Sequence, residues 1–196
     1  MKSAPRILAF IATACLLMLF FFPLWRITLI APQYPDGVTM YIWIHQITGT
    51  SPGTLQNINI LNHYVGMKMI EPNSIPELSY FPWVVGGLGL MGFLAGIINR
   101  SKFYLSWASV FLILAILGIY DFYLWEYDYG HNLSPTAPIK VPGQSYQPPL
   151  FGSKMLLNFN AISYPATGGI FMGIALILSI LASWIRIKLN KLKTQS

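Results

Sequence analysis

Four windows of the chain, residues 7–25, 80–98, 103–120 and 168–185, are apolar almost throughout and contain no formal charge. A bilayer core is crossed by about 20 apolar residues rising about 1.5 Å each, so each window has the length of a membrane span. Between them the pattern changes. In "RITLIAPQYPDGVTMYIWIH", Val38, Met40, Ile42 and Ile44 alternate with Thr39, Tyr41, Trp43 and His45, which predicts two strands joined by a turn at Pro35, Asp36 and Gly37. In "LQNINILNHYVG", Ile58, Leu61 and Val65 fall on one face of a short helix closed by Gly66, with His63 off that stripe and Met67 and Met69 in an extended exit.

These elements predict an all-α transmembrane fold. Two helical hairpins form a four-helix membrane bundle, and the two long segments 26–79 and 121–167 build a small mixed α/β extracytoplasmic cap, the whole of 1–196 being one integral membrane domain. The first window follows Lys2 and Arg6 as a signal peptide would, but its run is long and ends in "FFFPLWR" rather than in small residues, so it is expected to stay as an anchor. "YDFYLWEYDYGHN" continues the third span out of the bilayer as an aromatic and acidic collar, and "LSPTAPIKVPGQSYQPP", with prolines at 135, 138, 142, 148 and 149, is expected to be extended. Gly92 and Gly96, and likewise Gly169 and Gly173, are four apart, a spacing that lets helix backbones approach closely. "LSYFPWVVGGLGLMG" and "ISYPATGGIFMG" echo one another weakly, as a duplicated hairpin would.

Composition agrees: 55% of residues are hydrophobic and 9% charged, which is a membrane protein's balance. Charge then orients it. Lys2, Arg6, Arg100, Lys102, Arg186, Lys188, Lys191 and Lys193 fall on one side of the spans, whereas all six carboxylates lie in the two long segments. By the positive-inside bias the basic side is cytoplasmic, both termini are inside, and the long segments are extracytoplasmic. The net charge of +6 is thus a topology signal and not a nucleic-acid footprint.

Candidate chemistry is confined to the outer segments. No ionisable residue lies in a span, which disfavours a proton relay or ion pathway, and no histidine lies there to ligate b-type haem; C-x-x-C-H is absent, and the lone Cys15 has no partner. No nucleophile elbow, H-E-x-x-H or P-loop is present, and no enzymatic activity is expected. His45, His63 and His131 share the outer side with Met40, Met67, Met69 and Met155. Thioether and imidazole donors without thiolates suit Cu(I) in an oxidising compartment, with His63, Met67 and Met69 as the nearest group and His45 and His131 as further ligands. Glu126 and Asp128 stand near His131 as partners able to orient its ring. The same residues serve equally as loop packing, with methionine as gap filler and histidine hydrogen-bonded.

The phrases "FFPLWRI", "APQYP", "NILNHYVGMK", "DFYLWEYDYGHNL", "APIKVPGQSYQPPL" and "LLNF" resemble a family of small four-span membrane proteins encoded in nitrous oxide reductase gene clusters, chiefly of the atypical, second-clade type. The resemblance covers nearly the whole chain. It implies an accessory role beside a periplasmic copper enzyme, in its maturation or in copper or electron supply, with other membrane or periplasmic proteins of that system as partners. It carries no catalytic residue onto this sequence. A cofactor-free docking subunit is the alternative, and a part in electron transfer from quinol needs a redox centre in a partner.

Overall fold

The computed structural model describes residues 3–194. Its elements are α1 (Ala4–Leu17), extended by a 3-10 turn at Met18–Phe20, β1 (Trp25–Ala31), β2 (Tyr34–Ile42), β3 (Ile47–Gly49), α2 (Thr54–Val65), α3 (Glu77–Ile98), α4 (Ser101–His131), β4 (Gly152–Leu156), β5 (Phe159–Pro165) and α5 (Thr167–Thr194). The strands form one antiparallel sheet in the order β3-β2-β1-β5-β4.

The expected all-α, four-span bundle is therefore corrected to a mixed α/β fold. Three helices, Glu77–Ile98, Ser101–His131 and Thr167–Leu192, are long and apolar enough to cross a membrane; the first apolar helix, Ala4–Phe20, is shorter. These three helices point to a membrane protein. The window at 7–25 fails as a single helix because Pro23 cannot donate a helical hydrogen bond and restricts the residue before it. The chain leaves the helix there and enters the sheet. Leu24 N–H donates to the Ile42 carbonyl at 2.8 Å, while the Leu24 and Pro23 carbonyls accept from Ala166 and Gly168 at 2.9 and 2.8 Å.

Two further details differ from expectation. The β1–β2 turn is at Pro32 and Gln33, and the Pro35–Gly37 stretch lies within β2, where the register shifts between Leu29 and Ala31 and Gly37 takes φ +81°. That bulge is what the Asp-Gly pair supplies. The second long segment also forms, beyond the proline-rich stretch 133–149, the β4–β5 hairpin, turned at Leu157 and Asn158 with Leu157 at φ +54°.

α1 packs along α5 and α3, and α4 along α5. A β-carbon on Gly92 would sit 2.6 Å from Thr13 Oγ1 and from the Trp107 ring, and one on Gly96 would sit 2.7 Å from Phe10. Thr13 donates to the Gly89 carbonyl at 3.4 Å and Trp107 Nε1–H to the Leu88 carbonyl at 3.0 Å. Gly169 lies against the Leu24 carbonyl, whereas Gly173 faces open space. The sheet lies at one end of these helices. At the other end, Asn190 of α5 donates to Ser101 at the start of α4 at 3.3 Å. That end carries Arg6, Arg100, Lys102, Arg186, Lys188 and Lys191; Lys2 and the Lys193 side chain lie outside the described residues.

One sheet face buries Ile27, Leu29, Val38, Met40, Phe159 and Ala161 beneath α2, which contributes Ile58 and Val65, and beneath the last turns of α4. With 31 residues, α4 is about 46 Å long, well beyond a hydrocarbon core of about 30 Å. Its last ten or so residues therefore project out of the apolar layer and pack on the sheet, where Trp125 and Tyr129 join that core.

The glycine geometry predicts a contrast. Gly92→Val should destabilise the solubilised protein by about 1–3 kcal/mol through overpacking against Thr13 and Trp107, while Gly173→Val should leave its thermal midpoint nearly unchanged. Equal shifts in thermal unfolding would contradict this packing.

Candidate functional site

The functional candidates gather where the end of α4 meets the sheet. Helical spacing puts Phe122, Glu126 and Tyr129 on one side of α4, and that side faces the core, so a carboxylate lands among apolar groups. Glu126 is fully buried, and among the described residues neither of its oxygens has a hydrogen-bond partner. It lines a cavity of ≈ 40 Å³ beneath the sheet, together with Met40, Asn62, Met67 and Tyr146.

The proline-rich segment closes this cavity. Tyr146 is 1% exposed; its N–H donates to the Gly130 carbonyl at 2.9 Å, and its buried hydroxyl also has no partner among the described residues. Gly130 makes this crossing possible, because any β-carbon there would collide with the Gln147 backbone. A segment that sequence alone marks as merely extended is thus held by one aromatic side chain and one glycine.

α2 and its exit form the third wall. Gly66 ends the helix at φ +82°, and its carbonyl accepts from Ser134 N–H at 2.8 Å. Asn62 Nδ2–H donates to the Lys68 carbonyl at 3.2 Å, Asn59 exchanges hydrogen bonds with the Ile70 backbone at 2.7 and 3.2 Å, and Tyr129 O–H donates to the Met69 carbonyl at 3.2 Å. These bonds fix residues 66–70 along the end of α4.

The candidate metal ligands separate within this frame. Met67 turns inward against the core and lines the cavity, whereas Met69 is 55% exposed and His63 is exposed beside Tyr64, at 6.3 Å between ring centroids. His45 is exposed next to Trp43 at 6.0 Å. His131 is exposed, stacked on Tyr127 at 3.9 Å, with Nδ1–H donating to the Tyr127 carbonyl at 3.0 Å. No group of three or more His, Cys, Asp or Glu side chains is poised to hold a metal among the described residues.

The two carboxylates named with His131 are engaged elsewhere. Asp128 accepts from Lys68 at 2.6 Å and from Asn132 at 2.8 Å, and these hydrogen bonds, that from Lys68 foremost, hold its carboxyl below the usual range. Both side chains of the Lys68–Asp128 pair are well exposed, so the pair contributes at most about 1 kcal/mol. Glu126 turns into the cavity. Helical periodicity, with Phe122 four before and Tyr129 three after, was the signal that could have placed it there. Met40 was legible as a core-facing position of β2, and nothing in the sequence marked Tyr146 as the plug.

Burial pushes the Glu126 carboxyl up from its ordinary 4.5 to about 8; the group lies on the part of α4 that packs on the sheet, beyond the apolar span. The folded protein therefore keeps a proton that the unfolded chain has released. Between the ordinary value and about 8, each pH unit costs roughly 1 kcal/mol of stability, and the loss levels off above that range. The metal-free protein should accordingly show a thermal midpoint that falls from pH 5 to pH 8 and then flattens, and Glu126→Gln should remove most of this slope. A slope that persists in the glutamine variant would assign it to other groups.

No family model matches the chain, and no curated protein matches it.

Proposed function

We propose that this protein is a non-enzymatic accessory protein of the bacterial cytoplasmic membrane that supports a periplasmic copper enzyme such as nitrous oxide reductase. α1, although shorter than the other three, packs along α5 and α3 from the basic end to the sheet, so that both termini lie in the cytoplasm and the sheet in the periplasm. The observation that carries this reading is the separation of charge along the helices. Six described basic residues lie at the end away from the sheet, and Asp36, Glu71, Glu77, Asp121, Glu126 and Asp128 all lie on the sheet side, the distribution that the positive-inside bias favours. The copper enzyme as client is supported by the resemblance of the outer phrases.

Copper supply is the preferred mode of support. The exposed set His63, Met69, His45 and His131 does not fit a preformed copper site, since each imidazole stacks or packs against its own aromatic neighbour and Met67 packs on the core while Met69 is exposed. The inward-facing donors Met40, Met67 and Glu126 offer copper another place. A second reading, a cofactor-free docking subunit, is favoured by the outer sheet face, where Arg26 stands between its cross-strand partners Tyr41 and Tyr164 and is exposed.

The test is to delete this chain from a host that makes nitrous oxide reductase and isolate the reductase. Copper supply predicts a reductase that is made and exported but depleted of copper. A fully metallated reductase that fails only with the physiological electron donor would sink copper supply in favour of electron supply, and a metallated, fully active one would sink the accessory role.

A further inference from the structure

The cavity beneath the sheet contains a carboxylate with no counter-charge and two thioethers, and this donor set is selective. A hard cation such as Ca²⁺ or Mg²⁺ needs about six oxygen ligands, and the cavity offers it the Glu126 carboxylate, the Asn62 amide and phenol oxygens among mostly apolar walls. Structural zinc takes thiolate or imidazole ligands; the cavity lining includes neither. Thioethers select soft metals. Charge then sets the valence: one anionic ligand in a low-dielectric enclosure is neutralised by a monovalent ion, while a divalent ion leaves a net buried charge, which is costly. Size agrees as well. A water molecule needs about 10–15 Å³ of such space, so ≈ 40 Å³ holds one ion with room for its ligands to close on it.

We propose that Glu126, Met40 and Met67 form a binding site for a single Cu(I) ion beneath the sheet. Met40 and Met67 supply the sulfur ligands, and Glu126, releasing its proton to solvent as the ion binds, supplies the anionic oxygen that otherwise has no partner. Met67 is only partly buried and follows Gly66 in the segment pinned to α4, so it forms the access side; Met40, 2% exposed on β2, forms the floor. Tyr146, which lines the same cavity, closes it on the side of the proline-rich segment. The biological purpose of the site rests on the copper-supply reading, but its ligand chemistry does not.

The test uses the full chain, purified in detergent without oxygen and titrated with Ag(I) as a redox-inert probe and then with Cu(I). Bound metal is counted after gel filtration, and sulfur ligation is read by X-ray absorption. The wild type should retain a single ion with sulfur neighbours. Met40→Leu and Met67→Leu, which conserve volume, and Glu126→Gln should each weaken retention about tenfold or more while keeping the wild-type circular dichroism. The His63→Ala, Met69→Ala double variant should bind as the wild type does. A wild-type chain that retains no ion, folded cavity variants that bind normally, or a double variant that loses the ion would each overturn the assignment. A chain that binds the ion as described, in a host whose reductase is fully metallated without it, would leave the site standing and overturn copper supply alone.

Discussion

A helix of 31 residues is too long for the layer it crosses, and the rest of the fold depends on that mismatch. Because α4 is longer than a single span requires, its last three turns become the scaffold of the sheet. They carry Trp125 and Tyr129 into the sheet core and provide at Gly130 a position where the proline-rich segment crosses the helix without a side chain in the way. Lys68, Asn132 and Tyr129 attach the exit of α2 and the helix terminus to the same surface. With the final turns of α4 removed, the sheet would lose much of its cover.

The sheet is tied to the membrane helices by backbone as well as by packing. β1 follows α1 after a four-residue link and β5 runs almost directly into α5, and the two strands pair from Trp25↔Pro165 to Ile30↔Asn160. The hydrogen bonds from Ala166 and Gly168 to Leu24 and Pro23 continue that pairing to the start of α5. A slip of register would turn Ile27, Leu29 and Ala161 out of the core, so the side-chain pattern and the helix positions enforce one another. Trp25, whose Nε1–H donates to Ser163 at 2.7 Å and whose ring meets Phe122 at 5.5 Å, joins strand, partner strand and long helix at a single residue.

The long apolar windows were legible because nothing but a bilayer or a very large core asks for twenty apolar residues in a row. Residues 80–98, 103–120 and 168–185 lie within α3, α4 and α5. The alternation that buries Val38 and Met40 and the helix that Gly66 ends were legible for the same reason, each being a periodic pattern with a terminator. The first window was misjudged because Pro23 was outweighed by the hydrophobicity around it. β4 and β5 were missed although Phe159, Ala161 and Ser163 alternate with half-buried neighbours, since the prolines upstream dominated the reading of that segment. The candidate ligands show the deeper limit. Spacing brings His63, Met67 and Met69 together along the chain, but after the αL turn at Gly66 only Met67 packs against the core, while His63 and Met69 are exposed.

Glu126 is costly where it stands, and the fold shows why it is not simply an error of packing. Leucine or methionine at that position would fill the cavity and remove a buried, unpaired carboxyl that penalises folding at neutral pH. The surrounding groups do not compensate internally: Asn62 spends its amide N–H on Lys68, Tyr129 spends its hydroxyl on Met69, and Tyr146, near enough to line the same space, makes no bond there. A carboxylate with no hydrogen-bond partner among the described residues, in a space larger than its own side chain fills, is what the proposed Cu(I) site requires. A carboxylate retained for structure would have its hydrogen bonds made within the fold, as Asp128 does a helical half-turn away.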